Sequence, residues 1–125
     1  MLKESEKVIK KLIWMRKHRI WPNGLRYLWT DAFGVLLLTS FYLETREATY
    51  LEEAEWVVKE VYRVLGRPRG LRIGEGPDRG GQYYHYLIIW MFALAQLGKV
   101  KPNMGRWRSN WLAKSIPRLL SLRPA

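Results

Sequence analysis

The sequence predicts an all-α protein of stacked antiparallel helical hairpins, and three observations carry that prediction. No stretch alternates strictly between apolar and polar residues over strand length, and the best short β candidate, Gly70-Leu71-Arg72-Ile73, sits inside a glycine-rich loop. Two segments, 31–44 and 82–97, are apolar on almost every side and so demand cover on several flanks. Each is followed by an amphipathic segment, so the order buried then half-buried returns after about fifty residues, the spacing of stacked helix pairs.

The elements follow in order. A leading helix over 3–17 sets Val8, Ile9, Leu12, Ile13 and Met15 among lysines in a helical rhythm and stops before the turn cluster Trp21-Pro22-Asn23-Gly24. The first hairpin spans 31–65. Its inner helix, Asp31 to Glu44, reads DAFGVLLLTSFYLE. Its outer helix, Tyr50 to Leu65, collects Leu51, Ala54, Val58, Val61, Tyr62 and Leu65 on one stripe, with Glu52, Glu53, Lys59, Glu60 and Arg63 opposite. Thr49 and Glu52 have capping-box spacing, and Gly66 then Pro68 supply the stop. Trp56 falls on the polar side, either as a surface aromatic or as a contact to something outside this chain. The second hairpin spans 82–122, with an inner helix from Gln82 to Leu97 and an outer one from Arg106 to Leu122, kinked at Pro117.

The chain of 125 residues, 48% hydrophobic and 26% charged, is sized for one domain with one core. Seven Trp, seven Tyr and three Phe are more aromatics than a disordered segment carries. With no cysteine, disulfides, thiolate metal sites, iron–sulfur ligation and thiol catalysis are closed. His18 and His85 lie in different segments with no carboxylate at ligand spacing, so no metal site is expected. The run from Gly74 to Gly80 is one residue out of register for a dinucleotide fingerprint and follows no strand, so no nucleotide cofactor is expected either.

The formal charge of +11 suggests a polyanionic partner. It is unevenly spread, with 8 basic and 2 acidic residues over 1–29, 3 and 7 over 30–65, 4 and 2 over 66–98, and 7 and none over 99–125. The two basic ends either bind the phosphates of a nucleic acid or form solvated faces. Charges interrupt residues 1–20 too often for a signal peptide, and the uncharged run from Gly80 to Leu97 carries Gln82, His85 and Gln96, so a cytoplasmic protein with no membrane span is expected.

Several runs carry a family resemblance: Leu28-Trp29-Thr30-Asp31-Ala32-Phe33-Gly34, Tyr42-Leu43-Glu44-Thr45, Leu71-Arg72-Ile73-Gly74, and above all Asp78-Arg79-Gly80-Gly81-Gln82-Tyr83-Tyr84-His85-Tyr86-Leu87 with Trp90-Met91-Phe92-Ala93-Leu94. Over residues 25–122 the chain resembles an uncharacterised group with the six-hairpin (α/α)6 toroid, the fold of many glycoside hydrolases and sugar epimerases. Members of that group are much longer, so the chain corresponds to a leading helix and about two hairpins of such a ring. The resemblance implies parallel inner helices whose N-terminal ends gather at one rim, where free N–H groups favour oxygen-rich ligands.

That rim would collect Trp29, Asp31, Asp78, Arg79, Gln82, Tyr83 and His85. Asp31 and Asp78 are candidate catalytic carboxylates, because glycosidic hydrolysis needs two flanking the bond, and each is also placed to cap a helix. His85 is a candidate general base or a bonded core histidine. Trp29 and Tyr83 suit stacking on sugar rings, while Gln82 and Arg79 suit hydroxyls and anionic groups. Arg67, Arg69 and Arg72 lie in the same loop. The expectation is therefore a carbohydrate-binding or carbohydrate-active toroid fragment. Two inner helices wall a cavity too incompletely for catalysis, so a homo-oligomer or the remainder of the ring is the expected partner beside the sugar. The alternative is a non-enzymatic basic helical module that binds nucleic acid.

Overall fold

The computed structural model describes residues 2–67, 70–76 and 83–102, and over these the fold is all-α. The described helices are α1 (Leu2–Lys17), α2 (Leu28–Thr45), α3 (Ala48–Leu65) and α4 (Tyr84–Val100). The expected outer helix from Arg106 to Leu122, with Pro117, lies outside the described residues.

α2 is the centre of the molecule. It packs on α3 along one flank and on α4 along another, and it shares the lining of a groove with α1. Leu28, Ala32, Val35 and Leu38 are wholly buried, which is how a helix apolar nearly all round is accommodated. Val57, Val58, Val61 and Leu65 of α3 and Leu87, Trp90, Leu94 and Leu97 of α4 close the same core. α1 contributes Leu12 and is held at its two ends by polar contacts, Ser5 Oγ to Glu44 at 2.6 Å and the Arg16–Glu53 ion pair.

Directions follow from named contacts. The Tyr27 and Tyr86 hydroxyls meet at 2.5 Å, so the starts of α2 and α4 are neighbours. Trp90 Nε1 donates to the Tyr62 hydroxyl at 3.2 Å, and Lys101 at the end of α4 pairs with Glu55 at 2.6 Å, so α4 runs opposite to α3. α2 and α3 are joined by a short link and are antiparallel, which leaves α2 and α4 parallel.

Four details depart from the sequence reading. α2 begins at Leu28 rather than Asp31, because the Leu28 N–H is taken by the Ile73 carbonyl at 2.8 Å and Tyr27 is the N-cap. α3 begins at Ala48 with Glu47 as N-cap, so Thr49 is already helical and the Thr49–Glu52 capping box does not form. α4 begins at Tyr84, with Tyr83 as its N-cap. The segment after α3 is more ordered than a loop: Gly66–Arg67 and Gly70–Leu71 form a two-residue antiparallel pair, and Tyr27 bridges to Gly74. Leu71 and Ile73 are buried by this return of the chain over the start of α2, and Arg72 is tied to the Gly76 carbonyl at 2.9 Å.

One glycine has a packing reason. A Cβ on Gly34 would lie 2.1 Å from Cζ2 of Trp21, so the bare backbone of α2 is the seat of that indole.

Candidate functional site

Among the described residues, the starts of α2 and α4 bring together Trp29, Tyr83 and His85 from the sequence reading. Trp29 is half-buried and packs edge-on against His85, with ring centres 5.6 Å apart, and against Phe33 at 5.4 Å. His85 is exposed and stands 4.6 Å from the Tyr86 ring, which itself lies 5.2 Å from Trp29. Tyr83 packs on the His85 and Tyr86 rings at 6.4 and 5.9 Å. Parallel helices are the cause, since they set the first turns of α2 and α4 at one level and stack the aromatic side chains of both into one cluster. Phe33, Tyr83 and Tyr84 keep about half of their surface in water, each being 42 to 50% exposed. His85 is therefore a surface group in an aromatic cluster, neither lone nor in the core.

Asp31 sits apart from that cluster. It is fully buried beneath the start of α2, where its Oδ1 accepts the Trp21 indole N–H at 2.8 Å and its Oδ2 lies 3.5 Å from Nε of the equally buried Arg26. Burial pushes its carboxyl above the ordinary Asp range, while the Arg26 charge, the Trp21 N–H and the Tyr27 backbone pull the other way. Arg26 in turn donates to the Pro22 carbonyl, and its backbone N–H is held by Glu75 at 2.5 Å. Its guanidinium lies 5.7 Å from the ring centre of Trp56, so the aromatic on the polar side of α3 finds its partner inside the chain. Asp31, Trp21 and Arg26 thus form an interior polar knot that fastens the turn after α1 to α2 and the returning segment.

Asp78, Arg79 and Gln82 lie outside the described residues. At the same end of the bundle, Arg26, Trp56, Glu60, Arg63 and Glu75 line a shallow polar pocket of about 250 Å³. Reasoning from the sequence did not find Arg26, Trp21, Tyr27 or Tyr86 as parts of this end. The available signal is the arginine and tyrosine immediately before the α2 run, Arg26-Tyr27-Leu28.

Among the described residues no group of three His, Asp or Glu could hold a metal ion, and no helix is long and apolar enough to cross a membrane. No family model matches the chain, and no curated protein or solved structure matches it significantly.

Proposed function

We propose that the chain is a carbohydrate-binding part of an (α/α) toroid-like assembly, holding a sugar or glycan against the aromatic cluster at the starts of α2 and α4. The observation that supports this reading most is the pairing of half-buried Trp29 with exposed His85 across two parallel helix starts. Sugar rings stack on aromatic faces and their hydroxyls need donors and acceptors at the edge of such a platform. Trp29, Tyr83 and His85 supply both, and Asp78, Arg79 and Gln82, adjacent in sequence, complete the set this reading assigns.

Binding is favoured over hydrolysis because the Asp31 carboxylate is buried against Trp21 and Arg26, so it offers no acid or base to an external ligand. Ile88 and Phe92 on α4 are 47 and 50% exposed, an apolar strip that suits a neighbouring hairpin or a second copy.

Calorimetric titration of the full chain with soluble oligosaccharides tests the proposal. His85→Gln, at an exposed position, is expected to weaken binding at least tenfold with melting temperature unchanged, and Trp29→Ala to weaken it at least tenfold with some loss of stability, because the half-buried indole packs on Phe33, His85 and Tyr86. Asp31→Asn is expected to leave affinity unchanged and to lower stability by about 1–3 kcal/mol, the cost of disturbing a buried hydrogen-bonded charge. Oligosaccharides that give no saturable heat, or rim variants that bind like the parent, would sink the reading.

A second reading, nucleic-acid binding, has one observation in its favour. Lys7, Lys10, Lys11, Trp14 and Lys17 fall within one outward stripe of α1 and, like His18 just after it, are all exposed. Binding of single-stranded oligonucleotide that falls steeply with added salt would support it, and a flat salt response would refute it.

A further inference from the structure

On the flank of α2 next to α1 lies an open groove of about 400 Å³. Val8, Leu37, Trp21, Ile20 and Leu25 are among the residues that line it. Leu25 is 80% exposed and Ile20 is 50% exposed, so two large aliphatic side chains are held in water at the edge of a cavity that is itself apolar. Among the described residues Lys11 is the one charged residue lining it. The Lys11 ammonium stands 5.1 Å from the Trp14 ring centre, beside Lys7 and Lys10 on the outward face of α1. No carboxylate among the described residues lines the groove.

An apolar cleft of this size with one placed charge has the composition of a small-molecule site. The geometry points to a long-chain carboxylate, a fatty-acid type of amphiphile, with its alkyl chain along the α1–α2 cleft and its carboxylate at Lys11. Charge decides among the possible occupants. Residues 103–125 of the same chain carry five basic residues and no acidic one, so they would bring positive charge to an edge that already carries Lys11. A second copy would bring a net charge of +11 and the same lysine stripe. An anionic amphiphile satisfies both halves of the site, covering Leu25, Ile20 and Val8 while its head is attracted by Lys11 and its neighbours. The groove and the aromatic cluster are separate, and this assignment does not depend on sugar binding.

The test is calorimetry of the full chain with dodecanoate, dodecanol and dodecyltrimethylammonium, three probes with one chain length and different heads, each kept below its micelle concentration. Dodecanoate is expected to bind saturably with one molecule per chain and at least tenfold more tightly than the trimethylammonium. Lys11→Gln, at an exposed position, is expected to weaken dodecanoate about tenfold and leave dodecanol unchanged. Leu25→Ser, also exposed, is expected to weaken all three. Equal affinity for the three heads, an unaltered dodecanoate affinity in Lys11→Gln, or uptake of several molecules without saturation would overturn the assignment.

Discussion

Adding a single methyl group at Gly34 is expected to destabilise the protein, although glycine inside a helix is ordinarily worth replacing. Alanine gains about 1 kcal/mol over glycine from helix propensity alone. Here the new Cβ would stand 2.1 Å from Trp21 Cζ2, 2.5 Å from Cη2 and 2.8 Å from Cε2. Carbon atoms pack at about 3.5–4.0 Å, so the indole must retreat by well over an ångström. Trp21 is only 7% exposed and is pinned through Nε1 to buried Asp31. Overpacking of this kind costs about 1–3 kcal/mol, and pulling the indole N–H off Asp31 costs about 1–3 kcal/mol more. Set against the propensity gain, the net loss for Gly34→Ala is about 3 kcal/mol, a fall in melting temperature of about 10 °C. Urea unfolding followed by far-ultraviolet circular dichroism measures it. Trp21→Phe shortens the side chain at the point of collision, so Gly34→Ala made in that background should cost little, and the two changes should couple by about 3 kcal/mol. A Gly34→Ala protein as stable as its parent would refute the placement of Trp21 against α2, and equal costs in both backgrounds would show that the collision is not with the indole.

Two further outcomes are expected. Burial pushes the Tyr62 hydroxyl up to about 12, partly offset by the Trp90 N–H, so the stability this group contributes is complete below the ordinary tyrosine pKa and is lost as pH rises through about 12. Ultraviolet titration should show a late-ionising tyrosine component that is lost in Tyr62→Phe, and that variant should lose about 1 kcal/mol through the unpaired indole N–H of Trp90. Hydrogen bonds from Lys101 and Lys59 hold the Glu55 carboxyl below the ordinary Glu range, so its contribution is present above that range and is lost as pH falls through the depressed value. Carboxyl-carbon NMR should find Glu55 titrating low in the parent and closer to an ordinary Glu in Lys101→Ala. An unmoved value would mean that the end of α4 is not tied to α3 through this pair.

The amino-acid sequence by itself determined that the chain is helical, where its described helices lie to within a few residues, and which of them are apolar all round. These are consequences of local periodicity and of stops such as Trp21-Pro22 and Gly66, which act over a turn or two of backbone. The leading helix was read as 3–17 and is Leu2–Lys17, and the outer helix was read as ending at Leu65 and does so. Starts were less legible than stops in α2 and α3, whereas α4 runs three residues past the expected stop at Leu97, to Val100. Asp31 has the residue type of an N-cap, yet α2 starts a turn earlier because a carbonyl from Ile73, far along the chain, satisfies the Leu28 N–H. Tertiary structure alone decided the fate of Asp31, since its burial depends on Trp21 and Arg26 arriving from a turn whose shape no periodicity encodes. It also decided that Gly70–Leu71 pairs as a strand, because a two-residue ladder has no pattern of its own and exists only where the chain folds back on α2. The meeting of Trp29 with His85 belongs to the same class. Their neighbourhood follows from α2 and α4 running parallel, a direction set by how three helices bury a shared core and not by any residue within either helix.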